Sequence, residues 1–307
     1  MTTGVDLSVA IGKLTLASPI LTASGTSGHG AELGAYFDLS LLGAVVVKSL
    51  SANPWPGNPA PRVVPVDGGM LNSVGLQGPG VAAWIERDLP ELVASGARIV
   101  ASIWGRRVED FARAAELLNP VQEALLAVEV NISCPNVEDR SRMFAHSPRA
   151  TREVLEAAAV CGRPLFAKLS PNVADIAEIA AAAAAGGACA VTLINTVLGL
   201  DIDIERRRPR LGAIGGGLSG PAVRSVALRA VYDCHAQLPM LPIVGVGGVR
   251  SGEHAVALMM AGASAVGVGT ATLERPRAPL LVQTELAKWC EAHGVTRVAE
   301  LTGVAHG

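Results

Sequence analysis

The sequence predicts a single (β/α)8 barrel of the TIM type over residues 1–307. Eight short apolar runs recur along the chain, stretches of helical character separate most of them, and the total length suits this fold. Hydrophobicity within each run is continuous, as in parallel strands that are covered on both faces. The predicted strands are residues 19–24, 44–49, 98–103, 127–132, 164–169, 188–195, 242–247 and 264–269.

An open, doubly wound sheet is the alternative fold, and it would favour a GxGxxG turn after an early strand. The first strand instead ends in ASGTSGHG, and the late run GVGGVR carries Arg250 where the third glycine belongs. We therefore prefer the barrel. The Gly- and Pro-rich segments 52–80 and 199–220 are interpreted as insertions after strands two and six that could cover its mouth.

Composition predicts a soluble, cytoplasmic protein with a large core. Half of the residues are hydrophobic and 17% are charged, which predicts a large buried core. The net charge of −2 gives no excess of positive charge that would attract nucleic acid or an anionic membrane. The N-terminus lacks a signal-peptide pattern, and the longest apolar run is broken by glycines and a glutamate. Five widely spaced cysteines without a CxxC pair fit a reducing compartment and predict no metal site.

Polar residues cluster where the predicted strands end, which is the catalytic end of such barrels. They are Ser24, Lys48, Ser49, Ser102, Asn131, Ser133, Cys134, Lys168, Asn195 and Thr196. A partly buried ammonium needs an anionic or polar ligand, and an amide supplies both a donor and an acceptor. The lysine ammonium groups and the asparagine amides together suit the binding of an electron-rich ring with carbonyl groups. Extension of each lysine to solvent is the alternative.

Glycines follow the last two strands, at Gly247–Gly248 and Gly269–Thr270. Without a Cβ, backbone N–H groups can approach a phosphate closely, and barrels commonly bind phosphate after these strands. Tight turns alone would also use glycine. We interpret the two turns as the site of a phosphate-bearing cofactor.

Cys134 raises the question of a reactive thiol. Nearby cations favour the thiolate, which could act as general base or nucleophile. No histidine lies near it in sequence, which disfavours nucleophilic hydrolysis. We expect the remaining cysteines, Cys161, Cys189, Cys234 and Cys290, to pack in the core. His29, His146 and His235 are expected at the surface or in loops.

Several motifs occur in a fixed order along nearly the whole chain. They are GMLNSVGLQGPG (69–80), NISCPNV (131–137), AKLSPNV (167–173), LINTVLG (193–199), GGLSGPA (216–222), VGVGGV (244–249) and AGASAVGVGTA (261–271). With them the chain resembles the class 1 dihydroorotate dehydrogenases. MLN-x-x-GLQ-x-PG and NISCPNV are most similar to the B type, a catalytic subunit that works with an electron-transfer partner.

The resemblance implies FMN-dependent oxidation of dihydroorotate to orotate in pyrimidine biosynthesis. Cys134 would remove a proton from C5 while hydride leaves C6 for the flavin N5. The implied substrate contacts are Lys48, Asn72, Ser73, Val74, Gly75, Leu76, Asn131, Asn195 and Thr196. The implied cofactor contacts are Ser24, Lys48, Ser49, Ser102, Asn131, Lys168, Ile194, Gly220, Gly247, Gly248, Gly269 and Thr270. Lys168 would stabilise negative charge on the reduced ring.

Three departures from the family pattern leave the substrate open. Ser102 stands where the family often has Asn, Trp104 replaces a small residue, and the loop 137–148 lacks the glycine pair and the FG step of the B type. Arg140, Arg142 and His146 in this loop are either solvated or contact a different anionic substrate. The alternative is an FMN oxidoreductase that acts on another dihydropyrimidine or a specialised ring.

A catalytically inactive barrel is disfavoured because Cys134, Lys48, Lys168, Asn131 and Asn195 are all present. The sequence does not determine which electron acceptor reoxidises the flavin. B-type relatives use a separate subunit with FAD and an iron–sulfur cluster to reach NAD, whereas A-type relatives use fumarate. The chain has no cluster ligands, so such a centre would belong to a partner. We also expect a homodimer.

Overall fold

Eight parallel strands form a nearly closed barrel in the computed structural model, which describes residues 4–133 and 143–307. We label them β1 to β8 in chain order. They are Ile20–Thr22, Val45–Val46, Ile99–Ile103, Leu125–Asn131, Leu165–Lys168, Ala188–Leu193, Ile243–Val246 and Ala265–Val268. Each overlaps one of the runs predicted from the sequence, and the (β/α)8 barrel is confirmed.

Strand order decides between the barrel and the doubly wound sheet. Hydrogen-bonded neighbours run β1, β8, β7, β6, β5, β4, β3, β2, and a parallel bridge from Leu21 to Ala44 joins the two ends. The N–H of Thr22 donates to the Ala44 carbonyl at 3.2 Å. The doubly wound alternative is therefore wrong, because an open sheet leaves its end strands unpaired.

Helices surround the barrel and bury apolar faces against it. They are Val81–Arg87, Leu89–Ala94, Val108–Leu118, Pro148–Ala158, Ile176–Ala185, Arg224–Gln237, Gly252–Met260, Thr270–Glu274 and Ala278–Ala292. Side-chain caps begin two of them: Ser147 Oγ accepts from the N–H of Ala150, and Asp175 accepts from Ala177 and Glu178. No helix in the described ranges has the length and hydropathy to cross a bilayer.

The two insertions build one antiparallel sheet beside the mouth of the barrel. Its strands, in spatial order, are Val197–Gly199, Gly216–Ser219, Gly69–Asn72 and Val63–Val66. Val64, Leu71 and Leu211 form its small core. A hairpin of Val9–Ile11 and Leu14–Leu16 and a pair of Ile202–Asp203 and Arg208–Pro209 complete the strands of the described residues.

A side chain completes the seam between β1 and β2. Thr22 is buried, its Oγ1 accepts from the N–H of Val46 at 2.8 Å, and its hydroxyl donates to the Val46 carbonyl at 3.3 Å. The threonine thus takes the place of a backbone pair where the ring closes, and it satisfies polar groups that are shielded from water.

Replacing Thr22 with valine tests this seam. Thr22→Val keeps the shape but leaves the buried Val46 N–H without an acceptor, so we expect it to lower the free energy of unfolding by about 1–3 kcal/mol. Denaturant unfolding measures the change. Thr15→Val, at an exposed strand position, is the control and should leave stability nearly unchanged. Equal stabilities of the two variants would contradict this role.

Candidate active site

A cavity of about 1090 Å³ opens at the carboxyl ends of the barrel strands and is bounded by the insertion sheet. The structure gathers most of the predicted site residues around it. Those that line it are Ser24, Lys48, Ser49, Asn72, Ser73, Val74, Gly75, Leu76, Asn131, Lys168, Ile194, Asn195, Thr196, Gly220, Gly247, Gly248, Gly269 and Thr270. The volume reaches the upper end of the range for small-molecule sites.

One predicted residue of the described chain does not line the cavity. Ser102 is fully buried and does not line the cavity, because its hydroxyl lies behind Ser49, 2.9 Å from the Ser49 Oγ. Cys134 lies outside the described residues, as do Asn136, Arg140 and Arg142. The described chain stops at Ser133, which lines the cavity wall. His146 is exposed and does not line the cavity.

Glycine is sterically required where the predicted phosphate site lies. Gly247 and Gly248 have φ angles of 144° and 67°. An added Cβ would lie 2.5 Å from the Cβ of Ala227 at Gly247 and 2.7 Å from the Cβ of Arg224 at Gly248. Only glycine fits at these two positions, and without a side chain its backbone N–H can approach a ligand closely. Close by, Thr270 Oγ1 donates to Ser219 Oγ at 2.8 Å.

Two ammonium groups face the other part of the cavity. Lys168 is 6% exposed and Lys48 is partly buried, and neither forms an ion pair with another described residue. Desolvation, and secondarily the charge of Arg62, lowers the pKa of Lys48. An ammonium held in this way favours an anionic or strongly polar ligand, which would compensate for lost hydration.

Amide groups cross the cavity floor between the lysines. Asn131 and Lys168 are register partners on β4 and β5, so they end their strands at the same level. Asn195 Nδ2 donates to Asn131 Oδ1 at 3.4 Å, and Asn131 Nδ2 donates to Ser49 Oγ at 3.2 Å. Asn72, on the insertion sheet, donates to the Gly217 carbonyl at 3.3 Å. These contacts hold each amide in one orientation.

The four described cysteines are free and remote from this chemistry. Burial raises the pKa of the thiols of Cys161, Cys189 and Cys290, and it raises that of Cys234 to about 12, with a smaller contribution from Asp175. Each therefore stays protonated at neutral pH, as expected of packing residues.

Trp55, Trp104 and Arg106 form an aromatic wall of the cavity, of which the sequence analysis singled out Trp104 alone. The Trp55 and Trp104 rings meet edge to face with centroids 5.7 Å apart, and the guanidinium of Arg106 lies 5.3 Å from the Trp55 centroid. All three residues line the cavity, and the buried indole N–H of Trp104 has no hydrogen-bond partner among the described residues. Trp104 was noticeable in the sequence, but its contact with Trp55 could not be inferred.

Sequence reasoning missed two charged features. Arg250 and Glu274 line the cavity near the glycine turns, and Arg250 NH2 lies 2.9 Å from both Glu274 carboxylate oxygens. Glu129, only 2% exposed, lies inside the barrel below the floor. The sequence signal for this group is the single glutamate within the otherwise apolar run VEVNIS.

His29 occupies a loop as expected, yet it is half-buried. Its Nε2 is buried and has no hydrogen-bond partner in the part of the chain that the structure describes. Its carbonyl accepts from Trp84 Nε1 at 2.7 Å. Burial and then the charge of Lys48 lower its pKa, whereas Asp88 and Glu32 act in the opposite direction. His29 does not line the cavity, yet its pKa depends on the charge of Lys48.

Comparison with known proteins identifies the family. The sequence model described as dihydroorotate dehydrogenase matches residues 6–289. The chain belongs to the dihydroorotate dehydrogenase family. It is 46% identical over 302 residues to the protein of Alkaliphilus metalliredigens named dihydroorotate dehydrogenase B (NAD(+)), catalytic subunit, covering 98% of this chain and 99% of the relative.

Other relatives of the dihydroorotate dehydrogenase family carry two kinds of name. A Geobacter sulfurreducens protein with the same B-type name is 42% identical over 299 residues, or 97% of each chain. A Solibacter usitatus protein named putative dihydroorotate dehydrogenase A (fumarate) is 44% identical over 299 residues, 97% of this chain and 98% of its own. Enzymes of the family are in general flavin-dependent.

The coupling between Lys48 and His29 can be measured without any ligand. We expect Lys48→Met to raise the pKa of His29, because it removes a positive charge, and Glu32→Gln to lower it further. NMR titration of the histidine ring reports both. Lys288→Met, at an exposed position on the Ala278–Ala292 helix, is the control. An unchanged His29 pKa in Lys48→Met would mean that the two groups are independent.

Proposed function

We propose that this chain is an FMN-dependent dihydroorotate dehydrogenase that oxidises dihydroorotate to orotate in pyrimidine biosynthesis. The observation that carries the proposal is a single cavity lined by two lysines without ion-pair partners among the described residues, a floor of oriented amides and a cradle of obligatory glycines. Membership of the family makes this reaction the best match to that cavity. The whole chain, residues 1–307, would act as one FMN-binding barrel.

The residues present fit FMN. The crowded backbone at Gly247 and Gly248, with Gly269 and Thr270 beside it, would hold the phosphate. Lys168 would place its positive charge beside the ring. The other proposed contacts with the ring system are Ser24, Lys48, Ser49, Asn131, Ile194 and Gly220, with Ser102 acting through Ser49. When bound, FMN supplies the hydride acceptor.

The proposed substrate site combines a cation with amide and backbone groups. Lys48 would pair with the carboxylate of dihydroorotate, while Asn131 and Asn195 hold the ring amides. The segment Asn72, Ser73, Val74, Gly75, Leu76 lines the cavity. Gly75 and Leu76 in it have φ angles of 73° and 59°, a left-handed conformation that is unusual for leucine. Thr196 completes the contacts.

Cys134 is proposed as the general base that takes the C5 proton. Proton transfer by a positioned base contributes about 10²–10⁴-fold to the rate. The position fits this role because Ser133, its neighbour, lines the cavity wall and donates from its hydroxyl to the Lys168 carbonyl at 3.4 Å.

We propose further that electrons leave through a partner subunit that carries FAD and an iron–sulfur cluster, with NAD as final acceptor. The names of the relatives from Alkaliphilus and Geobacter support this assignment, and the name of the Solibacter relative makes fumarate the competing acceptor. The active unit would be a homodimer of catalytic chains. A cytoplasmic location agrees with the free thiols of the four described cysteines.

The aromatic wall favours a second candidate substrate. Trp104 and Trp55 add bulk beside the site, and the Trp104 N–H has no acceptor within residues 4–133 and 143–307, which suits a ring with different substituents. The alternative is therefore an FMN oxidoreductase that acts on another dihydropyrimidine. A yellow protein that is bleached by such a compound, and never by dihydroorotate, would establish the alternative.

Replacing Cys134 tests the proposed chemistry. We expect Cys134→Ser to slow bleaching of the bound flavin by dihydroorotate at neutral pH by about 10²-fold or more, because a hydroxyl is a much weaker base than a thiolate. Rapid-mixing absorbance measures the rate. Cys189→Ser, a partly buried position outside the cavity, should react like the unchanged protein. Wild-type rates in Cys134→Ser would exclude this base.

Replacing Gly248 tests the cofactor cradle. Gly248→Ala forces a methyl group against Arg224, and we expect at least about tenfold weaker FMN binding, measured by quenching of flavin fluorescence. Gly294→Ala is the matched control, because Gly294 has a φ of 70° but no atom within 4 Å of an added Cβ. Both variants carry similar backbone strain, so equal FMN affinity would argue against binding at Gly248.

A further inference from the structure

Glu129 is a buried acid that the proposed reaction does not use. It lies on β4 and is 2% exposed. One carboxylate oxygen accepts from the Ser102 hydroxyl at 3.1 Å and the other accepts from the Thr192 hydroxyl at 3.1 Å. It also borders a small cavity inside the barrel that Lys168 and Ser24 share. A group of this kind must be fully hydrogen-bonded to be tolerated there.

The carboxylate determines where the serine hydrogens point. Both carboxyl oxygens of Glu129 accept in these contacts, and each serine has one hydrogen to donate. Ser102 gives its hydrogen to Glu129, so in the 2.9 Å contact between Ser49 and Ser102 the donor must be Ser49. Ser49 then has no hydrogen left to donate. The single Ser24 hydrogen is therefore shared between Ser49 Oγ at 3.1 Å and Ser102 Oγ at 3.4 Å.

The same direction continues into the cavity floor. Ser49 Oγ accepts from Asn131 Nδ2 at 3.2 Å. Asn131 Oδ1 accepts from the N–H of Ser133 at 3.3 Å and from Asn195 Nδ2 at 3.4 Å. At the far end, Asn195 Oδ1 accepts from the N–H of Thr196 at 2.8 Å. Every donor along this series points toward Glu129, which is its acceptor-only end.

We propose that Glu129 is a positioning residue that sets the orientation of the Asn131 and Asn195 amides through Ser102 and Ser49. The inference rests on the proposed function, in which these two amides hold the substrate ring. Hydrogen bonds in a shielded series polarise one another, so the direction set at one end is retained at the other. Ser102 suits this position because its hydroxyl has one hydrogen. When that hydrogen is donated to Glu129, Ser102 can only accept from Ser49.

Replacing the carboxyl group with an amide would release this constraint. The amide of Glu129→Gln can donate as well as accept, so Ser102 could turn its hydrogen toward Ser49 and the order of donors would no longer be determined. Ser102→Ala interrupts the series while leaving Glu129 in place. Thr192→Val removes a hydrogen bond of the same length from the same carboxylate but leaves the series to the asparagines intact.

Orotate binding to the FMN-loaded protein provides the test, measured as perturbation of the flavin absorbance. We expect Glu129→Gln and Ser102→Ala each to weaken orotate binding by about tenfold, and Thr192→Val by less than about twofold. Thermal unfolding of the same samples separates stability from orientation, because a merely structural role would make orotate affinity follow stability in all three variants.

The outcomes separate the two proposals. Wild-type protein that fails to bind FMN or orotate would overturn the proposed function and this inference with it. Wild-type protein that binds both, together with a Glu129→Gln variant of unchanged orotate affinity, would overturn the inference alone. Equal losses in Thr192→Val and Glu129→Gln would do the same. If Glu129→Gln does not fold, the contrast between Ser102→Ala and Thr192→Val decides.

Discussion

Closure of the sheet between Leu21 and Ala44 is the constraint on which the candidate site depends. Lys48 follows β2, Lys168 ends β5, and the glycine cradle follows β7 and β8. These positions come together only because the eight strands form a ring and all run in the same direction. In an open sheet, β1 and β2 would lie at opposite edges, and Ser24 could not approach Ser49.

A closed parallel barrel also restricts which polar groups its interior can hold. Helices cover the outside and apolar side chains fill most of the inside, so each buried polar group needs a partner within reach. Thr22 meets this need at the seam, and Ser102 and Thr192 meet it around Glu129. The hydrogen bonds that satisfy Glu129 inside the barrel and those that orient the floor amides therefore belong to one network. This network links the stability of the barrel interior to the geometry of the site.

The insertions determine how far the site is enclosed. The strands Gly69–Asn72 and Gly216–Ser219 come from segments after different barrel strands, yet they pair in register, with Gly217 opposite Asn72. Their glycines are needed for this pairing, since an added Cβ on Gly69 would strike the Ser219 carbonyl. The wall that results brings Asn72 and the backbone through Leu76 against the cavity, opposite residues that the barrel itself provides.

The sequence alone determined the barrel and most of its polar mouth. Continuous apolar runs such as 98–103 and 164–169 predict strands covered on both faces, and a polar residue at the end of a run must lie near the mouth. Family motifs added residues 72–76 and Gly220 from the insertions to the predicted site, and these residues line the cavity. These features are local, so they can be read from neighbouring residues.

Only the tertiary structure decided which of these residues meet. Ser102 ends a predicted strand as Lys168 does, but register pairs it with Glu129 and turns it below the floor rather than into the cavity. Trp55 and Trp104, and likewise Arg250 and Glu274, are separated by many residues and meet through folding. Such contacts depend on the register and curvature of the closed sheet, which no local pattern in the sequence encodes.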